Sequence, residues 1–136
     1  FAITSYIKSK GGKCRVYTAP FGVQLNDKKD TVLEPDISVI CDTDKLTPRG
    51  CVGAPDWIIE IASPSNPSHD YITKLNLYHD AHVREYWIVD DQSSQILVYN
   101  MESGSFTMKA YTFTDTVKAG IFEDLYINFS SLDLGI

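Results

Sequence analysis

PDWIIEIASPSNPSHDYITK, residues 55–74, is the stretch on which the reading of this chain turns. From Trp57 to Ala62 it is almost wholly apolar, rich in isoleucine and introduced by a proline. Such a run reads as a strand buried on both faces. Glu60 stands in its middle. A carboxylate in apolar surroundings is costly unless it is paired, protonated or bound to a metal. Two prolines, Pro64 and Pro67, then break the chain. Beyond them Ile72, Leu75, Tyr78 and Ala81 recur at three-residue steps, with Leu77 flanking them, which is helical spacing. Ser68 or Asp70 can cap the start of that helix.

Upstream, residues 1–10 read as the end of a helix, with Ala2, Ile3, Tyr6 and Ile7 on one face and Gly11-Gly12 as its stop. Residues 14–19 and 22–25 read as two short strands joined at Pro20, and 26–31 as a charged turn. Pro35 introduces a second β run, residues 36–41, and residues 42–53, with Pro48 and Gly50, read as a polar loop. Downstream, residues 83–90, 95–101 and 105–112 read as a three-stranded meander. Residues 90–94 are its first tight connection, and Glu102-Ser103-Gly104 is a hairpin turn. Residues 117–136 are short and mixed. The order of elements predicts an α/β domain spanning residues 1–136, a mixed central β-sheet flanked by helices.

Composition narrows the function. The formal net charge is −6 and the sequence pI about 4.9, unlike a protein that coats nucleic acid, which is normally basic. A small local basic site remains compatible with that balance. No apolar run reaches the roughly 20 residues of a membrane span, and no signal peptide is visible. The chain begins at Phe1, so residues upstream of it are expected. Cys14, Cys41 and Cys51 are odd in number and lack metal-ligand spacing, which suggests free thiols in a cytoplasmic setting, with a Cys41–Cys51 disulfide as the lesser alternative. Arg84-Glu85 and Lys8, Lys10 and Lys13 read as surface charge, the lysines within reach of a phosphate backbone. Trp57 and Trp87 read as packing, and His79 and His82 as decoration of a helix.

The chemistry gathers on two carboxylates in β-like, apolar settings: Asp36 in EPDISVI and Glu60 in WIIEIAS. Taken singly, Asp36 also suits a turn after Pro35, and Glu60 a water-facing edge strand. Brought together they repel, and a divalent ion between them removes that cost. Hard oxygen ligands suit Mg²⁺ or Mn²⁺, which retain waters and activate one of them. Asp70 and Lys74, and likewise Lys74 and Tyr78, are one helical turn apart. Lys74 therefore sits on a helix that starts near the end of the strand bearing Glu60. A cation there neutralises a phosphate or orients a water. A triad of Ser63, His69 and Asp70 lacks the glycine elbow such a nucleophile needs.

EPDISVI, the block GAPDWIIEIASPSNPSHDYITKLNLYHDAHVREYWIVD and the distance between them resemble the Uma family of restriction endonucleases, within the PD-(D/E)XK nuclease superfamily. The resemblance implies the restriction-endonuclease-like fold and Mg²⁺- or Mn²⁺-dependent hydrolysis of DNA. Asp36 and Glu60 would be metal ligands, with the backbone carbonyl of Ile61. The superfamily places a lysine two residues after the acid; here that residue is Ala62. The resemblance implies that the lysine has moved to the following helix, where Lys74 fits, with Asp70 and Tyr78 matching the polar and tyrosine positions around it. REYWIVD matches a structural strand of the family. Family members usually carry an earlier helix with a further glutamate, which this chain starts too late to include. A homodimer follows from the need to cut two strands. The alternative is a non-catalytic member of the fold that binds protein or nucleic acid, or a nuclease directed at RNA or repair.

Overall fold

A six-stranded mixed sheet forms the centre of the computed structural model, which describes residues 2–25, 32–62, 68–102 and 106–131. Its strands, numbered with the rest of the chain, are β1 (Arg15–Thr18), β4 (Ile37–Ile40), β7 (Trp57–Ala62), β8 (Glu85–Asp90), β9 (Gln95–Asn100) and β10 (Thr107–Thr112), side by side in that order. All neighbours are antiparallel except β7 and β8. The parallel pair is joined through helix α2 (Ser68–Asp80), the crossover expected of that geometry. The expected α/β class, with a mixed central sheet, is the one observed.

Both faces of the sheet are covered, which is why the central strands read as unbroken apolar runs. On one face Ile40, Ile58, Ala62, Tyr86 and Ile88 pack with Tyr78 of α2, and with Val23, Leu25 and Cys51. On the other, Val39, Trp57, Ile59, Trp87 and Val89 pack with Ile3 and Ile7 of helix α1 (Ala2–Ser9), and with Val117 and Ile127. The last two belong to a two-stranded ribbon of β11 (Thr116–Lys118) and β12 (Tyr126–Asn128), followed by a 3₁₀ turn at Phe129–Ser131. Trp57 and Trp87 are fully buried with ring centroids 4.8 Å apart, so both are packing residues as expected.

Each helix ends with its two last backbone bonds closed over a left-handed residue. Gly11 (φ 65°) does this for α1, with Gly12 N donating to Ile7 O at 3.0 Å and Gly11 N to Lys8 O at 3.2 Å. His82 (φ 70°) does it for α2, with Val83 N on Tyr78 O at 3.0 Å and His82 N on His79 O at 3.1 Å. The turn fixes where α2 stops and how Tyr78 and Val83 enter the core.

Residues 42–53 are not a plain loop. They hold a 3₁₀ turn (Thr43–Lys45) and the strands β5 (Leu46–Thr47) and β6 (Gly50–Val52). With β2 (Gly22–Gln24) and β3 (Val32–Leu33) these make a second sheet, ordered β3-β2-β6-β5. Strands of two or three residues are too short to show a period. What admits the pairing is Gly50, at φ 140°, where a Cβ would lie 2.2 Å from Gly22 O. The charged turn at 26–31, the break at 63–67 and the hairpin turn at 103–104 lie outside the described residues.

The cysteine reading is also corrected. Cys14 and Cys41 form a disulfide, and Cys51 is the free, buried thiol. The register Arg15↔Ile40 of β1 and β4, continued by one residue, sets Cys14 opposite Cys41. That register was not visible in the sequence. Burial pushes the Cys51 thiol up to about 11, so it is inert in the folded chain. Thiol titration of the unreduced protein should therefore find no reactive thiol in the native state and one, not three, after unfolding.

Arg84-Glu85 is not surface charge. Arg84 pairs with Asp56 at 3.1 Å and Glu102 at 2.7 Å. Glu85 is fully buried on the α1 face, directly across from Trp57. Its Oε2 accepts from Trp87 Nε1 and its Oε1 from Ile121 N at 2.9 Å, with the Gly120 amide adding to the set.

Candidate active site

The alternation that buries β7 also aims Glu60. Ile58, Glu60 and Ala62 point to the α2 face, Trp57 and Ile59 to the other. On the α2 face Glu60 is 2% exposed. The antiparallel register Ile37↔Ile59, continued by one residue, places Asp36 opposite Glu60 at the mouth of β4. Directly opposed residues share a face with Cβ atoms about 4.5–5.5 Å apart, so both carboxylates look into the same space.

Each is held by a different kind of group. Asp36 Oδ2 accepts from the backbone N–H of Ile61 at 2.7 Å, which locks it to the strand that carries Glu60. The contact on Ile61 is thus its amide. Glu60 Oε2 faces α2, where Lys74 Nζ donates at 3.3 Å and Tyr78 OH lies at 3.5 Å, the outer reach of a hydrogen bond. Tyr78 is fully buried, its ring edge-on to Tyr86 at 4.8 Å between centroids, so its hydroxyl is fixed by core packing. The Lys74 side chain is 30% exposed, with its ammonium at the carboxylate. Asp70 lies in the first turn of α2, one turn before Lys74; its side chain lies outside the described residues.

Burial raises the pKa of Glu60 above the ordinary 4.5, and the charge of Asp36 adds to that. Lys74, by charge and hydrogen bond, and the Tyr78 hydroxyl oppose it. Burial thus favours the protonated carboxyl, and the Lys74 ammonium favours the ionised one. Among the described residues no cluster of three or more His, Cys, Asp or Glu is placed to hold a metal. A pair of carboxylates is what a hydrated magnesium site uses, since that ion keeps waters and takes phosphate oxygens for the rest.

Ser38 was missed by the sequence reading. It lies two residues after Asp36 on the same face, fully buried, with no partner for its Oγ among the described residues. Such a hydroxyl costs about 1–3 kcal/mol. The signal was the alternation Asp36, Ser38, Ile40 within EPDISVI, legible once that segment is taken as a half-polar strand.

The sheet thus sets an acid at the mouth of one strand opposite a buried acid on the next, with a lysine of the following helix beside it. The chain belongs to the Uma2 family, described as "Putative restriction endonuclease", which it matches over residues 1–130. A solved structure, a "putative nuclease belonging to DUF820" from Anabaena variabilis ATCC 29413, is similar in fold. Its TM-score is 0.73 at 19% identity, covering 95% of this chain and 72% of that one. The uncharacterized protein slr1290 of Synechocystis sp. (strain ATCC 27184 / PCC 6803 / Kazusa) is 26% identical over 110 residues, 79% of this chain. The match spans 57% of that relative's length. No helix among the described residues is long and apolar enough to cross a membrane.

Proposed function

We propose that this chain is a metal-dependent endonuclease that hydrolyses DNA phosphodiester bonds, acting as a homodimer with one site per strand. The observation that carries the reading is the buried Glu60, opposite Asp36 and 3.3 Å from Lys74 Nζ. The donor set fits a hard divalent cation, Mg²⁺ or Mn²⁺, held by Asp36, Glu60 and the Ile61 carbonyl. Bound there, such an ion supplies a polarised phosphate and a water of lowered pKa. Asp36, tied to the Ile61 amide, contributes a carboxylate that needs no reorganisation. Lys74 orients the water or stabilises charge on the phosphoryl oxygens, and Asp70 orients Lys74. Tyr78 holds Glu60. The water oxygen forms the new P–O bond, the bond to the leaving sugar oxygen breaks, and that oxygen takes up a proton.

Moving the lysine from the strand to the helix keeps it on Glu60 by a different route. Lys74→Met should lower the cleavage rate of Mg²⁺-loaded protein by about 10²–10³-fold, while the protein still binds the metal. Plasmid nicking by full-length protein with Mg²⁺ or Mn²⁺ tests the reading. No cleavage, together with metal affinity unchanged by Asp36→Ala, would sink it. Ala62 at the usual lysine position and the net charge of −6 favour a second reading, a non-catalytic binding module of the same fold. DNA or protein binding without cleavage, insensitive to Asp36→Ala, is its expected signature.

A further inference from the structure

We propose that Ser38 is a positioning residue of the metal site, and that the Glu60 carboxylate works from two positions, one against α2 and one against β4. The inference rests on the metal-site reading above. Buried hydroxyls are nearly always satisfied, and Ser38 Oγ, fully buried, has no partner among the described residues. Its place in the sheet accounts for this. Ser38 faces Ile58 across the β4–β7 ladder. Asp36 is two residues before Ser38 on one strand, and Glu60 two residues after Ile58 on the other, so all three share a face. Ser38 and Glu60 are diagonal neighbours, about 7–8 Å apart at the backbone and within reach of a long side chain.

In the present arrangement Glu60 Oε2 is drawn to the helix, by Lys74 Nζ at 3.3 Å and Tyr78 OH at 3.5 Å. Asp36 lies beside Glu60 at the mouth of β4, across the ladder and on the same face. A cation shared with Asp36 draws the Glu60 carboxylate from Lys74 and Tyr78 toward β4. That shift carries it to the strand of Ser38, whose hydroxyl then donates to the carboxylate oxygen that does not face the cation. Two things follow. Lys74 is released from Glu60 only when the cation site fills, so the ammonium reaches water and phosphate when it is useful there. The unmet hydroxyl is a cost of the cation-free state that binding removes.

Ser38→Ala in the full chain separates these roles. Without divalent cation the variant should melt at or slightly above wild type, because a lone buried hydroxyl is gone and little volume is lost. Titrated with Mn²⁺ alone, followed by calorimetry, it should bind about tenfold more weakly than wild type. A melting temperature well below wild type would mean that the hydroxyl is satisfied in the cation-free fold, and would overturn the proposal. Equal Mn²⁺ affinity in wild type and Ser38→Ala, with affinity lost in Asp36→Ala, would overturn it and leave the metal site standing. Wild-type protein that binds no Mn²⁺ would remove the metal site and this proposal together.

Discussion

A Glu60→Gln chain is expected to lose DNA cleavage by about 10³-fold or more while keeping its fold. Glutamine has the shape of glutamate, and its carbonyl oxygen still accepts from Lys74 and Tyr78, which hold Oε2 at 3.3 and 3.5 Å. What it lacks is the charge a divalent cation needs. The same substitution carries a pH signature. Burial, with Asp36 adding to it, raises the Glu60 pKa above 4.5 against the opposing pull of Lys74 and Tyr78. The folded chain therefore binds this proton more tightly than the unfolded chain. The contribution is full below the unfolded value and is lost as pH rises through the folded one. Thermal melts of wild type from about pH 4.5 upward should show this fall, and Glu60→Gln should lack it. A Glu60→Gln protein that cuts at the wild-type rate would end the case for the site.

How much of this was legible beforehand depends on which force set each feature. The core strands were visible because burial on both faces writes itself as apolar runs. α2 was visible from its spacing, and Asp36 and Glu60 from their conflict with apolar neighbours. Register was not visible. Nothing local in the chain says that Arg15 pairs with Ile40, so the Cys14–Cys41 pairing was lost. β5 and β6 were lost because the close approach of Gly22 and Gly50 stands in for a hydrophobic pattern. Glu85 was misjudged because it follows an arginine and looks like half of a surface pair. The donors that make its burial tolerable come from Trp87 and from residues 120–121, far along the chain.

Glu85→Ala should be among the most destabilising single changes in this chain, costing about 3 kcal/mol or more and lowering the melting temperature by roughly 10 °C. Glu85 is fully buried, and removing it orphans the Trp87 indole N–H and the Ile121 amide, with the Gly120 amide beside them. Glu85→Gln should not rescue it. Both oxygens are claimed by N–H donors, so either orientation of the amide turns its NH₂ toward another donor. Gly120→Ala should fail from the other side, since a Cβ there would lie 2.9 Å from Glu85 Oε1 and 2.7 Å from Asn100 Nδ2. Glu85 lies on the α1 face, so cleavage measured well below the lowered melting temperature should stay close to wild type. A melting temperature within a degree or so of wild type for Glu85→Ala would contradict this account. The two buried glutamates should thus answer glutamine in opposite ways. Around Glu85 two of the donors are backbone amides, which cannot leave. Around Glu60 they are side chains on a helix, which can give the carboxylate up.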